Sequence, residues 1–154
     1  MIKLLFTAKH QIGSWIIRTG TWSKWSHVAL LCSDSNVIEA IGFKGVRKVS
    51  LEEALLGSFR HAIVEIVEAS PEEEEKLIEI LSTQLGKSYD YIGALGIGLH
   101  RNWQDDDKWI CSELICWGLQ QIGKPLFRAE EIRKISQQNL WVRQPEGKTE
   151  LSES

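Results

Sequence analysis

Lys108-Trp109-Ile110-Cys111-Ser112-Glu113-Leu114-Ile115 is the stretch on which the reading of this chain turns. Downstream of it, Cys111, Leu114, Ile115, Gly118, Leu119 and Ile122 recur at the ~3.6-residue spacing of one helical face, and Gly123 and Pro125 supply the stop signal. The thiol therefore opens the buried stripe of an amphipathic helix instead of decorating its surface. Unpaired N–H groups at a helix start favour thiolate over thiol, and a thiolate is a nucleophile. A lone cysteine in this position also suits a small apolar core residue, so chemistry requires partners.

Upstream, short apolar runs separated by turn formers read as strands. Lys3 to Thr7 is the first. Gln11 to Arg18 has helix-like spacing through Ile12, Trp15 and Ile16, ended by Gly20. His27 to Leu31 and Val37 to Ile41 flank the small polar residues Cys32-Ser33-Asp34-Ser35-Asn36 and form an antiparallel hairpin. Val46 to Val49 continues it past Gly42 and Gly45, and Ser50 caps a short helix over Leu51 to Leu56. His61 to Val67 alternates as a strand. Ser70-Pro71-Glu72-Glu73 combines a cap, a first-turn proline and a capping box, predicting a helix to about Leu85 that stops at Gly86. Its acidic first turn is a solvated face that suits the helix dipole, not a metal site. The glycine-rich stretch from Tyr89 to Gly98 lacks the lysine and spacing of a phosphate loop and reads as a close-packed helix or loop. Arg101 to Lys108 is a polar loop, Glu130 to Gln138 a last short helix, and Gln144 to Ser154 a frayed tail. The expected fold is α+β: a small antiparallel sheet packed against the Cys111 helix and the Ser70–Leu85 helix, in one domain over residues 1–143, with 144–154 disordered.

The 154 residues suffice for a proper core, with 43% hydrophobic and 25% charged residues in the ordinary globular range. A net charge of −3 argues against nucleic acid as a partner, because phosphate binding needs a basic surface. No stretch approaches the ~20 apolar residues of a membrane span. The N-terminal apolar run is too short for a signal sequence and is broken by Lys9, which leads to an expected cytoplasmic location. Three cysteines without a framework pattern read as free thiols in a reducing compartment. Cys111 and Cys116 fit neither a redox pair nor a zinc knuckle, and no metal or cofactor is expected. Seven tryptophans are many for this length; Trp15, Trp22 and Trp25 read first as core and loop packing and second as a substrate surface.

A cysteine nucleophile needs a base, and the base an orienting group. His10, His61 and His100 lie at segment edges without a patterned acidic partner. His27 opens an apolar strand, and Glu39 lies near the end of the next, twelve residues on. A five-residue loop, Leu31 to Ser35, would pair Leu30 with Asn36 and set His27 directly opposite Glu39, with Cβ atoms ~5 Å apart on one face. Glu39 could then hold one imidazole nitrogen and leave the other for Cys111.

Ser26-His27-Val28-Ala29-Leu30-Leu31, then Val37-Ile38-Glu39-Ala40, then Gly45-Val46, resembles the histidine block of the NlpC/P60 papain-like superfamily. Histidine precedes cysteine here, an order that resembles the circularly permuted YiiX/YebB-like branch, distantly related to LRAT-like acyltransferases. The resemblance covers roughly residues 3 to 125. It implies Cys111 as nucleophile, His27 as base and Glu39 as the polar third member. Gly86-Lys87-Ser88-Tyr89 resembles the tyrosine-bearing stretch before the cysteine helix, which makes Tyr89 a candidate for the oxyanion region or substrate pocket. The implied activity is a thiol hydrolase acting on a small peptide, a peptidoglycan fragment or an acyl-lipid through an acyl-enzyme, without a metal or organic cofactor. Two alternatives stand beside it. One is an LRAT-like acyltransferase or lipid hydrolase, with the N-terminal tryptophans and the Gly93 to Leu99 stretch as a peripheral lipid-facing rim. The other is a non-catalytic binding module with Cys111 merely packed.

Overall fold

The computed structural model describes residues 1–9, 24–42, 44–89, 108–109, 111–128, 135–142 and 149–153. Along the chain these form β1 (Ile2–Lys9), β2 (His27–Leu31), β3 (Asn36–Ile41), β4 (Gly45–Ser50), α1 (Leu51–Leu55), β5 (Ser58–Val67), α2 (Pro71–Ser82), β6 (Ser88–Tyr89), β7 (Lys108–Trp109), α3 (Cys111–Gln121), α4 (Gln137–Trp141) and β8 (Thr149–Glu153). The sheet runs β4-β3-β2-β1-β5-β8, each neighbour antiparallel, and β6 pairs with β7 in parallel. This is the α+β architecture expected from the sequence.

Side-chain alternation divides the sheet into two apolar faces. Leu4, Phe6, Val28, Leu30, Ile38, Ala40, Ala62 and Val64 meet Leu77 and Leu81 of α2 and Leu114, Ile115 and Leu119 of α3. On the other face Leu5, Ala29 and Val37 pack under Ala54 of α1. Covered on both sides, β1 is buried at nearly every position, which is why it reads as a continuous apolar run and not as an alternating one. Trp25 is 1% exposed and stacks on Phe6 and Trp141, so this tryptophan is core and contributes nothing to a lipid-facing rim. Trp15, Trp22 and the Gly93 to Leu99 stretch lie outside the described residues, as do the helix read at Gln11 to Arg18 and the loop from 101 to 107.

Helix ends follow the punctuation in the sequence. Ser70 accepts the Glu73 N–H while the Glu73 carboxylate takes the Ser70 N–H at 2.8 Å, closing the capping box. The helix ends at Ser82, short of Leu85, because Thr83 already caps it and the chain turns towards Gly86 at φ +88°. Ser50 caps α1 by accepting from Glu53 N–H. At the end of α3, Lys124 N–H returns to Leu119 O and Gly123 N–H to Gln120 O, with Gly123 at φ +77°, the Schellman pattern. Gly118 lets α2 and α3 approach closely: a Cβ there would stand 2.6 Å from Leu81 Cδ2.

Beyond the earlier stop of α2, Lys108 lies in β7 and not in a polar loop, and two further elements differ from the sequence expectation. The last helix begins at Gln137, where Ser136 and Asn139 form a reciprocal cap, instead of spanning Glu130 to Gln138. Residues 149–153, expected to be part of a frayed tail, pair with β5 from Val64↔Thr149 to Arg60↔Glu153. An open sheet edge offers unpaired N–H and C=O groups that any extended segment can satisfy through its backbone, whatever its composition.

Gly45 is held on two counts: its φ is +69°, and a Cβ would fall 2.2 Å from Lys87 O, the same oxygen that accepts Val46 N–H. Gly45→Ala is expected to destabilise the protein by about 2 kcal/mol or more, combining left-handed strain with displacement of a backbone carbonyl. Urea unfolding checks this; a change near zero would mean that the close approach is not a constraint.

Candidate active site

His27 opens β2 and Glu39 lies within β3, but their register differs from the expected one. Leu30 pairs with Ile38 and Leu31 with Val37, a two-residue offset from a Leu30–Asn36 pairing. The turn is shorter than the five-residue loop. Cys32 N–H donates to Asn36 O at 2.8 Å, and Ser35 takes the left-handed conformation at φ 60°. A three-residue hairpin loop with its last residue left-handed matches the twist of the strands. A slip of two leaves every side chain on its original face, whereas a slip of one would have put Glu39 on the other. Glu39 therefore stands diagonal to His27, not opposite it, and its longer side chain spans the diagonal: His27 Nε2 and Glu39 Oε2 are 2.7 Å apart.

Cys111 reaches these residues from the other side of the sheet. By alternation His27 and Glu39 belong with Ala29 and Val37 on the α1 face, while Cys111 belongs to the core on the α3 face. They meet where the β2–β3 ladder stops. Beyond Leu30 towards the start of β2, the Val28 backbone N–H is directed at the Cys111 sulfur, and the buried Cys111 and His27 side chains lie close enough for each to shift the other's titration. With Nε2 on Glu39, Nδ1 is the imidazole nitrogen left for the sulfur.

Two site residues were missed in the sequence. Gln137, 3% exposed at the start of α4, donates Nε2–H to Cys111 Sγ at 3.0 Å. It is placed by the Ser136 cap and by Ser112 Oγ, which donates to Ile135 O. Its Oε1 has no partner among the described residues. A Ser-x-x-Asn start was the available signal, weaker than a Ser-x-x-Glu box. Arg47, opposite Glu39 across β3–β4, donates from Nε at 2.9 Å and Nη2 at 2.6 Å to Glu39 Oε1, and from Nη1 at 2.7 Å to Glu53 Oε1 on α1. A hairpin centred between Gly42 and Gly45 would have set those opposite charges face to face. Tyr89 lies in β6, whose approach is tied to β4 by Gly86 N–H on Val46 O. Its side chain is outside the described residues.

The electrostatics separate Cys111 from the other thiols. Burial pushes Cys32 up to about 11 and Cys116 up to about 12. Burial works against the Cys111 thiolate as well, but the His27 hydrogen bond and charge, the Gln137 amide and the Val28 N–H outweigh it and bring the thiol below its ordinary value. Burial also opposes the imidazolium, yet Cys111 and Glu39 together raise His27 to about 9. Glu39, 1% exposed, is held at about 2: burial resists ionisation, but His27 and Arg47 overcome it. The arrangement favours a thiolate–imidazolium pair backed by a carboxylate.

The family described as permuted papain-like amidase enzyme, YaeF/YiiX, C92 family, matches residues 3–140. A probable lipoprotein peptidase, YaeF, from Escherichia coli (strain K12) is 31% identical over 90 residues, covering 58% of this chain and 32% of that protein. The crystal structure of metalloprotein yiiX from Escherichia coli O157:H7 superposes with a TM-score of 0.65 at 24% identity, covering 79% of this chain and 64% of that one. The chain thus spans about a third of the length of the curated relative and under two thirds of the solved structure. No group of three or more His, Cys, Asp or Glu among the described residues is placed to hold a metal ion. Next to Cys111 and His27, both Glu39 oxygens are already taken by His27 and Arg47.

Two outcomes are expected. Iodoacetamide at pH 6 should alkylate Cys111 at least about tenfold faster than an ordinary thiol, since the thiolate is the reacting species, while Cys32 and Cys116 stay inert; equal rates at all three would sink the ion pair. A carboxyl depressed in the native state stabilises it above the ordinary carboxylate value of 4.5, and this contribution is lost as pH falls through about 2. The stability gap between wild type and Glu39→Gln should therefore narrow, by on the order of a few kcal/mol, between about pH 5 and pH 2 in chemical denaturation.

Proposed function

The chain belongs to the permuted papain-like amidase family, and from that premise we propose that it is a cysteine hydrolase with Cys111 as nucleophile, His27 as base and Glu39 as orienting group. The contact between buried Cys111 and His27 carries this reading. The thiolate attacks an amide carbonyl carbon, and the carbonyl π electrons move to oxygen. The Cys111 backbone N–H at the start of α3 and the Gln137 amide, freed from the sulfur as it becomes a thioether, donate to that oxyanion. Imidazolium His27 then protonates the leaving amine as the tetrahedral species collapses to a thioester. Water, deprotonated by His27, attacks the thioester, and the thiolate leaves to regenerate the pair.

Glu39 holds the imidazole by Nε2 throughout and compensates its charge. The substrate class is an amide-linked acyl donor, a small peptide or a peptidoglycan fragment; the description of the YaeF relative as a probable lipoprotein peptidase supports a peptide bond. Wider kinship with NlpC/P60 enzymes and a single catalytic domain, extended beyond residues 1–143 to take in β8, belong to the same proposal. So does a reducing compartment such as the cytoplasm, supported by three unpaired cysteines.

The test is turnover on a panel of N-acyl amides, γ-glutamyl and alanyl peptides, thioesters and lipid esters. Cys111→Ala and His27→Ala should each lose at least about a thousandfold in kcat, and an acyl adduct on Cys111 should be visible by mass spectrometry with a slow ester. Gln137→Ala should lose about a hundredfold in kcat with little change in KM, as expected of an oxyanion donor. Unchanged turnover in Cys111→Ala would falsify the nucleophile assignment; transfer from a lipid ester to an alcohol without amide cleavage would replace hydrolysis by acyl transfer.

A further inference from the structure

Glu39 presents two oxygens to two different tasks. Oε2 faces His27 Nε2 at 2.7 Å, while Oε1 receives both Nε–H and Nη2–H of Arg47. The carboxylate side chain is fully buried and the guanidinium mostly so, at 0% and 18% exposure. Two N–H bonds from a planar fork onto one oxygen fix the carboxylate plane, and hence the direction in which the other oxygen points. The fork is itself braced, because Nη1 reaches Glu53 Oε1 on α1, so the helix that follows β4 anchors the outer end of the chain Glu53–Arg47–Glu39–His27–Cys111.

We propose that Arg47 is a positioning residue for the thiol chemistry: it locks Glu39 in the one orientation, and in the ionised form, that lets the carboxylate hold the His27 imidazolium against Cys111. The inference rests on the cysteine-hydrolase reading above. Arg47 touches neither the sulfur nor the imidazole and acts through Glu39 alone. The charges around Glu39 come from four elements: Lys9 on β1, His27 on β2, Arg47 on β4 and, beyond Arg47, Glu53 on α1. Lys9 interacts with Glu39 through charge, without a hydrogen bond between them among the described residues, so it cannot replace the fork.

The consequence has a sign. Without the guanidinium, a buried carboxyl takes up a proton at higher pH. Neutral Glu39 no longer favours the imidazolium, and the thiolate loses its counterion on the acid side. The experiment measures the pH dependence of Cys111 alkylation by iodoacetamide, and of kcat and KM on the best substrate of the panel, for wild type, Arg47→Met and Arg47→Lys, with circular dichroism as a check on folding. In Arg47→Met the acid midpoint of alkylation should move up by about one pH unit or more, with kcat down at least about tenfold and KM within about twofold. Arg47→Lys keeps the charge but not the fork: its midpoint should stay within about half a unit of wild type while kcat falls at least about fivefold. The lysine variant carries the test if the methionine variant does not fold.

A wild-type thiol without low-pH reactivity removes the cysteine-hydrolase reading itself. A reactive wild-type thiol whose profile and kcat are matched by folded Arg47 variants overturns the role of Arg47 alone.

Discussion

A carboxylate with 1% exposure has to be compensated, and the compensation of Glu39 organises one end of the sheet. An unpaired charge in such a place would cost several kcal/mol, far more than a typical side-chain contact contributes. Its two partners come from the strands on either side, His27 on β2 and Arg47 on β4, so the ion cluster staples three strands together. It also polices register. A one-residue slip of β3 would turn Glu39 into the core under α3 and leave both cations facing an apolar residue, a state with several buried charges unmatched at once. Stability and site geometry here use the same groups: the contact that allows the carboxylate to be buried is the contact that holds the His27 imidazole.

The thiol depends on this cluster from the opposite face. Cys111 enters the gap at which β2 stops pairing with β3, and the backbone N–H of Val28, released from the ladder, faces its sulfur. A break in pairing that would otherwise leave a buried donor unsatisfied becomes a donor to the thiolate. The helix behind Cys111 is seated by the close contact of Gly118 with Leu81 and Leu77 and ended by the Schellman turn at Gly123. Gln137 donates to the sulfur from a helix of five residues, which could not hold its place alone and relies on its cap and on Ser112. Every donor around the sulfur is thus fixed by an element whose own position has another cause.

The legible parts of the sequence were those governed by local rules. The capping box at Ser70 and the stop at Gly123 are each written within a few residues, and each is found where it was read; the stripe from Cys111 is buried as read, but Ser112, Glu113 and Cys116 are buried beside it, because the start of the helix is enclosed on every side. Nearness of His27 and Glu39 was legible because any even register keeps both on one face, although the register itself depended on a left-handed Ser35 that nothing in Ser33-Asp34-Ser35 announces. Arg47 and Gln137 were not read because their roles exist only in the assembled sheet: an arginine in a β-hairpin is ordinarily a surface residue, and a glutamine at a helix start is ordinarily solvated. The strand at 149–153 escaped for the opposite reason, since its place depends on an unfilled edge and not on its own side chains.

The order of the site residues along the chain also has a kinetic meaning. The His27 side of the site is local, with Arg47 eight positions from Glu39 and Glu39 twelve from His27, and such short loops close quickly at little entropic expense. The Cys111 side is remote, since Cys111 lies 84 positions beyond His27, and Gln137 lies 26 residues further on. Non-local contacts form late in folding. The hairpins can therefore mature while Cys111 remains an ordinary thiol, and its acidity rises only when the native topology closes around it. With His27 and Glu39 on one hairpin and Cys111 far along the chain, the acidity of the thiol is tied to closure of the native topology, so that a chain without that closure carries a quiet cysteine instead of an armed one.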